Sequence, residues 1–235
     1  MRVHRVHLPT LQAGERIVSG SEAQHLVQVL RVQPGARVCA FDGQGLEAEG
    51  TVISVEPVRV TLSLGAPSPS EVEASLAVTL ALALLKGDKL SEVVRRGTEL
   101  GVVCFQPFVS ARCDVRELSP NKLERLRRVA QEAAKQSGRS VVPEVTEVQK
   151  LGGLDLPPCT LVAQPAAPRT LRCVLEGTEP ESVLVVTGPE GGLTPDEVSG
   201  LLSRGAHAVR LGTRILRAET APIAVAAALL VPEAL

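Results

Sequence analysis

The chain has 235 residues, room for one large domain or two modest ones. Hydrophobic residues make up 44%, enough to bury a core, which excludes global disorder. Lys and Arg number 25 against 26 Asp and Glu, a formal charge of −1 that excludes a histone-like basic protein or an acidic tail protein. Phe41, Phe105 and Phe108 are the only aromatics among Phe, Tyr and Trp. A sheet that stacks single-stranded bases on aromatic rings is thereby excluded. The five cysteines, Cys39, Cys104, Cys113, Cys159 and Cys173, are widely spaced with no C-x-x-C. They read as thiols of a reducing compartment, not as disulfides or zinc ligands. The four histidines form no metal motif, so no metal is expected. Arg2, His4 and Arg5 interrupt any signal-like start. The longest uncharged apolar stretch, Thr220 to Pro232, is too short to span a bilayer. A cytoplasmic protein without a membrane segment is expected.

Up to about residue 65 the chain reads as short strands: Val3 to Leu8, Ala36 to Phe41, Leu46 to Val55 and Val58 to Leu64. Asp42-Gly43-Gln44-Gly45 is a hairpin turn that requires positive φ. One helix interrupts the strands, with Ser21 as N-cap, Gln24 at the capping-box position, and Leu26, Val29 and Leu30 as its apolar face. The pattern is that of a small β-barrel with one helix. Ala66-Pro67-Ser68-Pro69-Ser70 reads as a linker. It divides the chain into residues 1–68 and 72–235.

Beyond the linker, strand and helix alternate. Ser75 to Leu85 is a nearly continuous apolar run, a strand buried on both faces. Asp88 to Leu100 has helical spacing and stops at Gly101. Val102 to Ser110 is a further buried strand. Pro120 to Ser137 is a helix capped by Ser119, with Leu123, Leu126, Ala130, Ala133 and Ala134 inward and Lys122, Arg125, Arg127, Arg128 and Lys135 outward. Thr160 to Ala163, Ser182 to Thr187 and Ala206 to Leu211 are short strands. This alternation predicts an α/β domain with a mostly parallel sheet. Residues 86–139 carry a local charge of +5, hidden in the near-neutral total.

Two segments carry the chemistry. In the first, a buried strand enters Thr187-Gly188-Pro189-Glu190-Gly191-Gly192, then a helix marked by Thr194, Pro195 and Glu197. The glycines let backbone approach a ligand, at the sheet end where open α/β folds bind one. A plain tight turn is the alternative. Neither a phosphate loop nor G-x-G-x-x-G is present. The second segment is Leu211-Gly212-Thr213-Arg214-Ile215-Leu216-Arg217-Ala218-Glu219-Thr220-Ala221. Arg214, Arg217 and Glu219 fall in what reads as a buried region, where a charge must be paired or used. A structural Arg217–Glu219 pair is the alternative to a catalytic role.

With these two segments the chain resembles the SPOUT class of methyltransferases, and within it the RsmE family, which methylates N3 of a uridine in small-subunit (16S) ribosomal RNA. His25-Leu26, Lys86-Gly87-Asp88-Lys89, Thr98-Glu99-Leu100-Gly101, Arg112-Cys113, Gln136-Ser137-Gly138-Arg139 and Pro143-Glu144 extend the likeness over nearly the whole chain. His4-Arg5-Val6-His7 and Gln164-Pro165 depart from the family pattern.

The resemblance implies an α/β SPOUT-type parallel sheet with a C-terminal trefoil knot over 72–235, preceded by a PUA-like RNA-binding barrel over 1–68. It implies a homodimer, S-adenosylmethionine as cofactor, and small-subunit ribosomal RNA or an assembled 30S subunit as partner. Cofactor contacts would come from Thr187, Gly188, Pro189, Glu190, Gly191, Leu211, Gly212, Ile215, Leu216, Thr220 and Ala221. Arg217 would hold the uracil and its developing charge. Glu219 would act as base or orient Arg217. RNA phosphates would meet Arg2, Arg5, Arg31, Lys86, Lys89, Arg112, Arg125, Arg128 and Arg139. Another SPOUT enzyme, acting on a ribose 2′-hydroxyl or a tRNA base, and a non-catalytic RNA-binding assembly factor are the alternatives.

Overall fold

A computed structural model of the chain describes residues 3–231, so Arg2 lies outside the described residues. There are two compact units. One holds the chain up to Glu73 together with Ala134–Val142; the other holds Ala74–Ala133 and the chain from Pro143 onward.

The first unit is a six-stranded sheet. Its strands are β1 (His4–His7), β2 (Gly14–Ser19), β3 (Arg37–Phe41), β4 (Leu46–Glu56), β5 (Arg59–Leu64) and β6 (Ser68–Pro69). The order is β1-β3-β4-β5-β2, with β6 on β4. β1 and β3 run parallel and the other pairs antiparallel. Val6, Val18, Leu26, Val38, Val60 and Leu62 form its core. At the predicted hairpin, Gly43 and Gly45 take φ of +81° and +110°. Asp42 Oδ1 accepts from the amides of Gln44 (2.7 Å) and Leu46 (3.0 Å).

Several details of this unit differ from the sequence reading. β2 was not predicted; its one buried residue, Val18, gives too little apolar alternation to announce a strand. Helix α1 (Gly20–Gln24) is capped by Ser19 rather than Ser21, without a side-chain bond. It continues as a π-turn over His25–Val29. The wider turn shifts the apolar face, and Val29 is 66% exposed. Ser68–Pro69 is not free linker but pairs with Leu46–Glu47.

Ala134–Val142 is held in this unit by ionic bonds. Arg139, 4% exposed, bonds to Glu73 through Nη2 (2.8 Å) and Nε (3.0 Å). The amides of Ser140 and Val141 donate to the same carboxylate at 2.9 Å. Arg5 donates to Ser140 Oγ (2.7 Å) and to the Arg139 carbonyl (3.0 Å), and stacks over Phe41. Lys135, predicted on a solvated face, is instead buried and paired with Glu22.

The second unit is a parallel seven-stranded sheet in the order β10-β8-β7-β12-β11-β13, with β9 on β8. The strands are β7 (Ala77–Ala83), β8 (Cys104–Val109), β9 (Glu144–Val145), β10 (Gln149–Lys150), β11 (Thr160–Ala163), β12 (Ser182–Thr187) and β13 (His207–Val209). The helices are α2 (Lys89–Leu100), α3 (Pro120–Ser137, its last turn counted with the first unit), α4 (Leu171–Leu175), α5 (Pro195–Ser203) and α6 (Thr220–Leu230). β7 and β12 pair at the centre, and their long apolar runs are buried. α2 buries Leu90, Val93 and Val94 and ends at Gly101 with φ +111°. The predicted inner face of α3 is buried throughout.

Candidate active site

β11, β12 and β13 run side by side, and the C-terminal ends of β11 and β12 with the segments that follow all three strands line one cavity of about 480 Å³. Ala163, Gln164 and Pro165 end or follow β11; Thr187 to Glu190, Gly192 and Leu193 end or follow β12; most of Leu211 to Ala221 follows β13.

The β12 segment is a tight turn closed by the Gly192 amide donating to the Pro189 carbonyl at 2.8 Å. Gly192 has φ +69°. A Cβ on Gly188 would sit 3.0 Å from the Leu193 nitrogen, a contact tighter than side chains usually make, so glycine eases the close packing of this turn. α5 then starts on the predicted capping box. The Glu197 amide donates to Thr194 Oγ1 (3.2 Å), and Glu197 accepts the Thr194 amide (2.8 Å). The other oxygen of Glu197 accepts the Ala111 amide at 2.6 Å. Arg112 Nη1 donates to the Gly191 carbonyl at 3.0 Å.

The β13 segment is open. Among the described residues, no amide from Leu211 through Glu219 donates a hydrogen bond. Gly212 takes φ +148°, a backbone conformation that favours glycine. The sequence reading placed this stretch in a buried region; instead Arg214 and Arg217 are exposed and Ile215 is 84% exposed. Composition misled here, because apolar residues on an irregular loop have no neighbouring strand to cover them. Neither guanidinium forms an ion pair among the described residues. The structural Arg217–Glu219 pair does not form. Glu219 Oε2 is buried without a hydrogen bond, 3.5 Å from Lys89 Nζ.

Lys89 lines the cavity. Its ammonium lies 2.8 Å from Glu190 Oε1 and 3.5 Å from Glu219 Oε2. The bond to Glu190 chiefly raises Lys89 above its ordinary pKa. Partial burial works to raise the Glu190 carboxyl, but hydrogen bonds led by that from Lys89 outweigh it and hold Glu190 below the ordinary range.

Of the eleven expected cofactor residues, the cavity brings together Thr187, Gly188, Pro189, Glu190, Leu211, Gly212, Ile215, Leu216 and Ala221. Gly191 and Thr220 lie off its wall, and Arg217 and Glu219 are on it. The expected RNA contacts are dispersed. Arg5 and Arg139 are taken up by Glu47 and Glu73. On the surface, Lys86 pairs with Asp114, Arg125 with Asp88 and Arg128 with Glu124. Arg31 is exposed in a left-handed turn, φ +51°. Among the described residues no cluster could hold a metal, and no helix is long and apolar enough to cross a membrane. Burial pushes the Cys104 thiol up to about 11, so it is no nucleophile at neutral pH.

Residues 72–230 match the family model of an RNA methyltransferase domain, and residues 18–64 that of an RNA methyltransferase PUA domain. A ribosomal RNA small subunit methyltransferase E from Bacillus subtilis is 34% identical over 88% of this chain and 86% of its own length. The chain belongs to the ribosomal RNA small subunit methyltransferase E family. A second member, from Synechocystis, is 35% identical over 86% of this chain and 68% of its own. The crystal structure of the Neisseria gonorrhoeae enzyme, bound to S-adenosyl methionine, superposes with a TM-score of 0.90 at 30% identity, covering 98% of each chain.

For this methyltransferase, reading the sequence missed Lys89, Ala163, Gly192, Leu193 and Ala218 as wall residues, whereas Gln164-Pro165 and Arg214 lie on stretches the resemblance already turned toward the cofactor. Lys89 was counted with the basic segment by its charge. Its carboxylate partners lie 101 and 130 positions along the chain, and no local pattern announces them.

Proposed function

We propose that this family member methylates N3 of one uridine in small-subunit ribosomal RNA, with S-adenosylmethionine as methyl donor. The observation that carries the reading is the cavity walled by a glycine turn and by a loop of unpaired amides. The donor fits these walls. Backbone groups of Leu211 to Leu216 are free to read a planar base, and Gly188 lets the turn that forms the facing wall fold tightly on Leu193. Thr187 to Glu190, with Leu211, Gly212, Leu216, Ala221 and the backbone of Ile215, would hold it; Gly191 and Thr220 lie off the cavity wall. S-adenosylmethionine supplies the methyl group on a positively charged sulfur.

Uracil N3 carries a proton at neutral pH, so the enzyme must remove it and stabilise the anion. Each pKa unit of that task is worth roughly 1.4 kcal/mol. The unpaired Arg217 guanidinium holds the uracil and its developing charge. Glu219 takes the N3 proton at Oε2 as base; its ion-pair neighbour is Lys89 rather than Arg217, so it does not orient Arg217.

The last segment is knotted and the enzyme is a cytoplasmic homodimer. The knot is supported by the path of the chain. β13 sits at the sheet edge beside β11, yet α6 comes back to pack on β7, β12 and α2. The dimer is supported by α6, which is apolar all round with Ile223, Ala224 and Ala227 half-buried. Residues 1–68 form the RNA-binding domain and 72–235 the transferase domain, and small-subunit ribosomal RNA, free or in an assembled 30S subunit, is the substrate.

The decisive experiment incubates the protein with S-adenosylmethionine and small subunits from a strain lacking the gene. Nucleoside analysis should find N3-methyluridine. Ribose methylation, or none, would overturn the reading.

A further inference from the structure

The cations around the cavity are not equivalent. Lys89 is neutralised by two carboxylates, Lys86 by Asp114 and Arg125 by Asp88, and Arg112 is bonded to the Gly191 carbonyl. Arg214 and Arg217 alone among the wall residues are exposed guanidiniums without a carboxylate, and Ile215 stands 84% exposed between them. Among the described residues no amide from Leu211 through Glu219 donates a hydrogen bond, although the Arg217 carbonyl accepts the Thr220 and Ala221 amides where α6 begins. Both guanidiniums are solvated and uncommitted, so they can take a new anionic partner, and a large apolar side chain stands beside them.

We infer that Arg214 binds a phosphate of the RNA strand beside the target nucleotide, with Ile215 packing against that strand at the cavity mouth. The inference rests on the RNA methyltransferase reading above and adds a substrate-docking residue to it. An RNA strand answers both guanidiniums, a phosphate on Arg214 and the target uracil on Arg217. A second copy of this chain brought onto the patch by a two-fold axis would set like charges toward one another. Ile215 supplies apolar area for a base or ribose in a protein with almost no aromatics to do so.

The test compares full-length wild type with Arg214→Met and Arg214→Lys, using small-subunit ribosomal RNA over a range of KCl. In Arg214→Met, KM for RNA should rise several-fold. The slope of log(kcat/KM) against log[salt] should lose about one unit, as for one lost phosphate contact. Arg214→Lys should restore most of both. S-adenosylmethionine affinity by calorimetry should match wild type. An unchanged salt slope in Arg214→Met would overturn the inference. So would a loss that follows S-adenosylmethionine affinity, which would place Arg214 on the donor's carboxylate. A fall in sedimentation mass with an unchanged salt slope would place it in a subunit interface. If wild type transfers no methyl group to RNA at all, the functional reading fails before this one is reached.

Discussion

Lys89 Nζ lies 2.8 Å from Glu190 Oε1, and this contact joins the start of α2 to the glycine turn after β12. The same ammonium reaches Glu219 at 3.5 Å, so one cation ties two cavity walls together. Replacing Lys89 by Met leaves two carboxylates facing each other with no counter-ion. S-adenosylmethionine affinity should fall several-fold in Lys89→Met, measured by calorimetry, and Lys89→Arg should recover most of it.

The same contact sets a pH window. Glu190 is held below its ordinary 4.5, so its contribution is present above that value and fades as pH falls through the lower, folded value. Lys89 is raised above its ordinary 10.5, so its contribution is present below that and is lost as pH climbs through the higher, folded value. The contribution of this pair to folding stability should therefore be flat from about pH 5 to 10 and be lost on the acid side. Chemical denaturation across pH checks it, and Lys89→Met should shrink the acid limb.

Arg217→Ala should lose on the order of 10²- to 10³-fold in kcat, the usual cost of one charge-stabilising donor. Cofactor affinity should be retained. Single-turnover methylation alongside calorimetry measures both, and full activity would remove Arg217 from the reaction.

The amides of Leu211 to Glu219, lacking partners among the described residues, should exchange quickly in the free protein. S-adenosylmethionine should slow exchange in residues 187–191, 211–216 and 220–221. Hydrogen-exchange mass spectrometry reads this directly, and protection confined to other segments would misplace the cofactor.

Arg139→Ala should act on stability. It strands Glu73 in a buried site that also holds the Ser140 and Val141 amides. A loss of about 3 kcal/mol is expected for one partner of a buried pair. Chemical denaturation measures it. The salt slope of RNA methylation should stay as in wild type, which separates a structural arginine from a phosphate contact.

Much was legible from sequence alone. The buried runs of β7, β8 and β12, the helix over Pro120 to Ser137 and the capping box at Thr194 are local patterns, and each is where the residues placed it. The glycine turn and the Leu211 to Ala221 segment, singled out by their residues as the chemistry-bearing stretches, both line the cavity. What sequence could not fix was the fate of each charge. Arg139 and Lys135 read as surface cations but are buried on Glu73 and Glu22. Lys89 read as an RNA contact but faces two cavity carboxylates. Arg214 read as buried but is free. A hydrophobic period is written in adjacent residues, whereas an ion pair is chosen among partners up to 130 positions apart. The near-zero net charge and local excess of +5 that sequence determined are thus sums, and only the tertiary structure decided which of those cations remain to meet RNA.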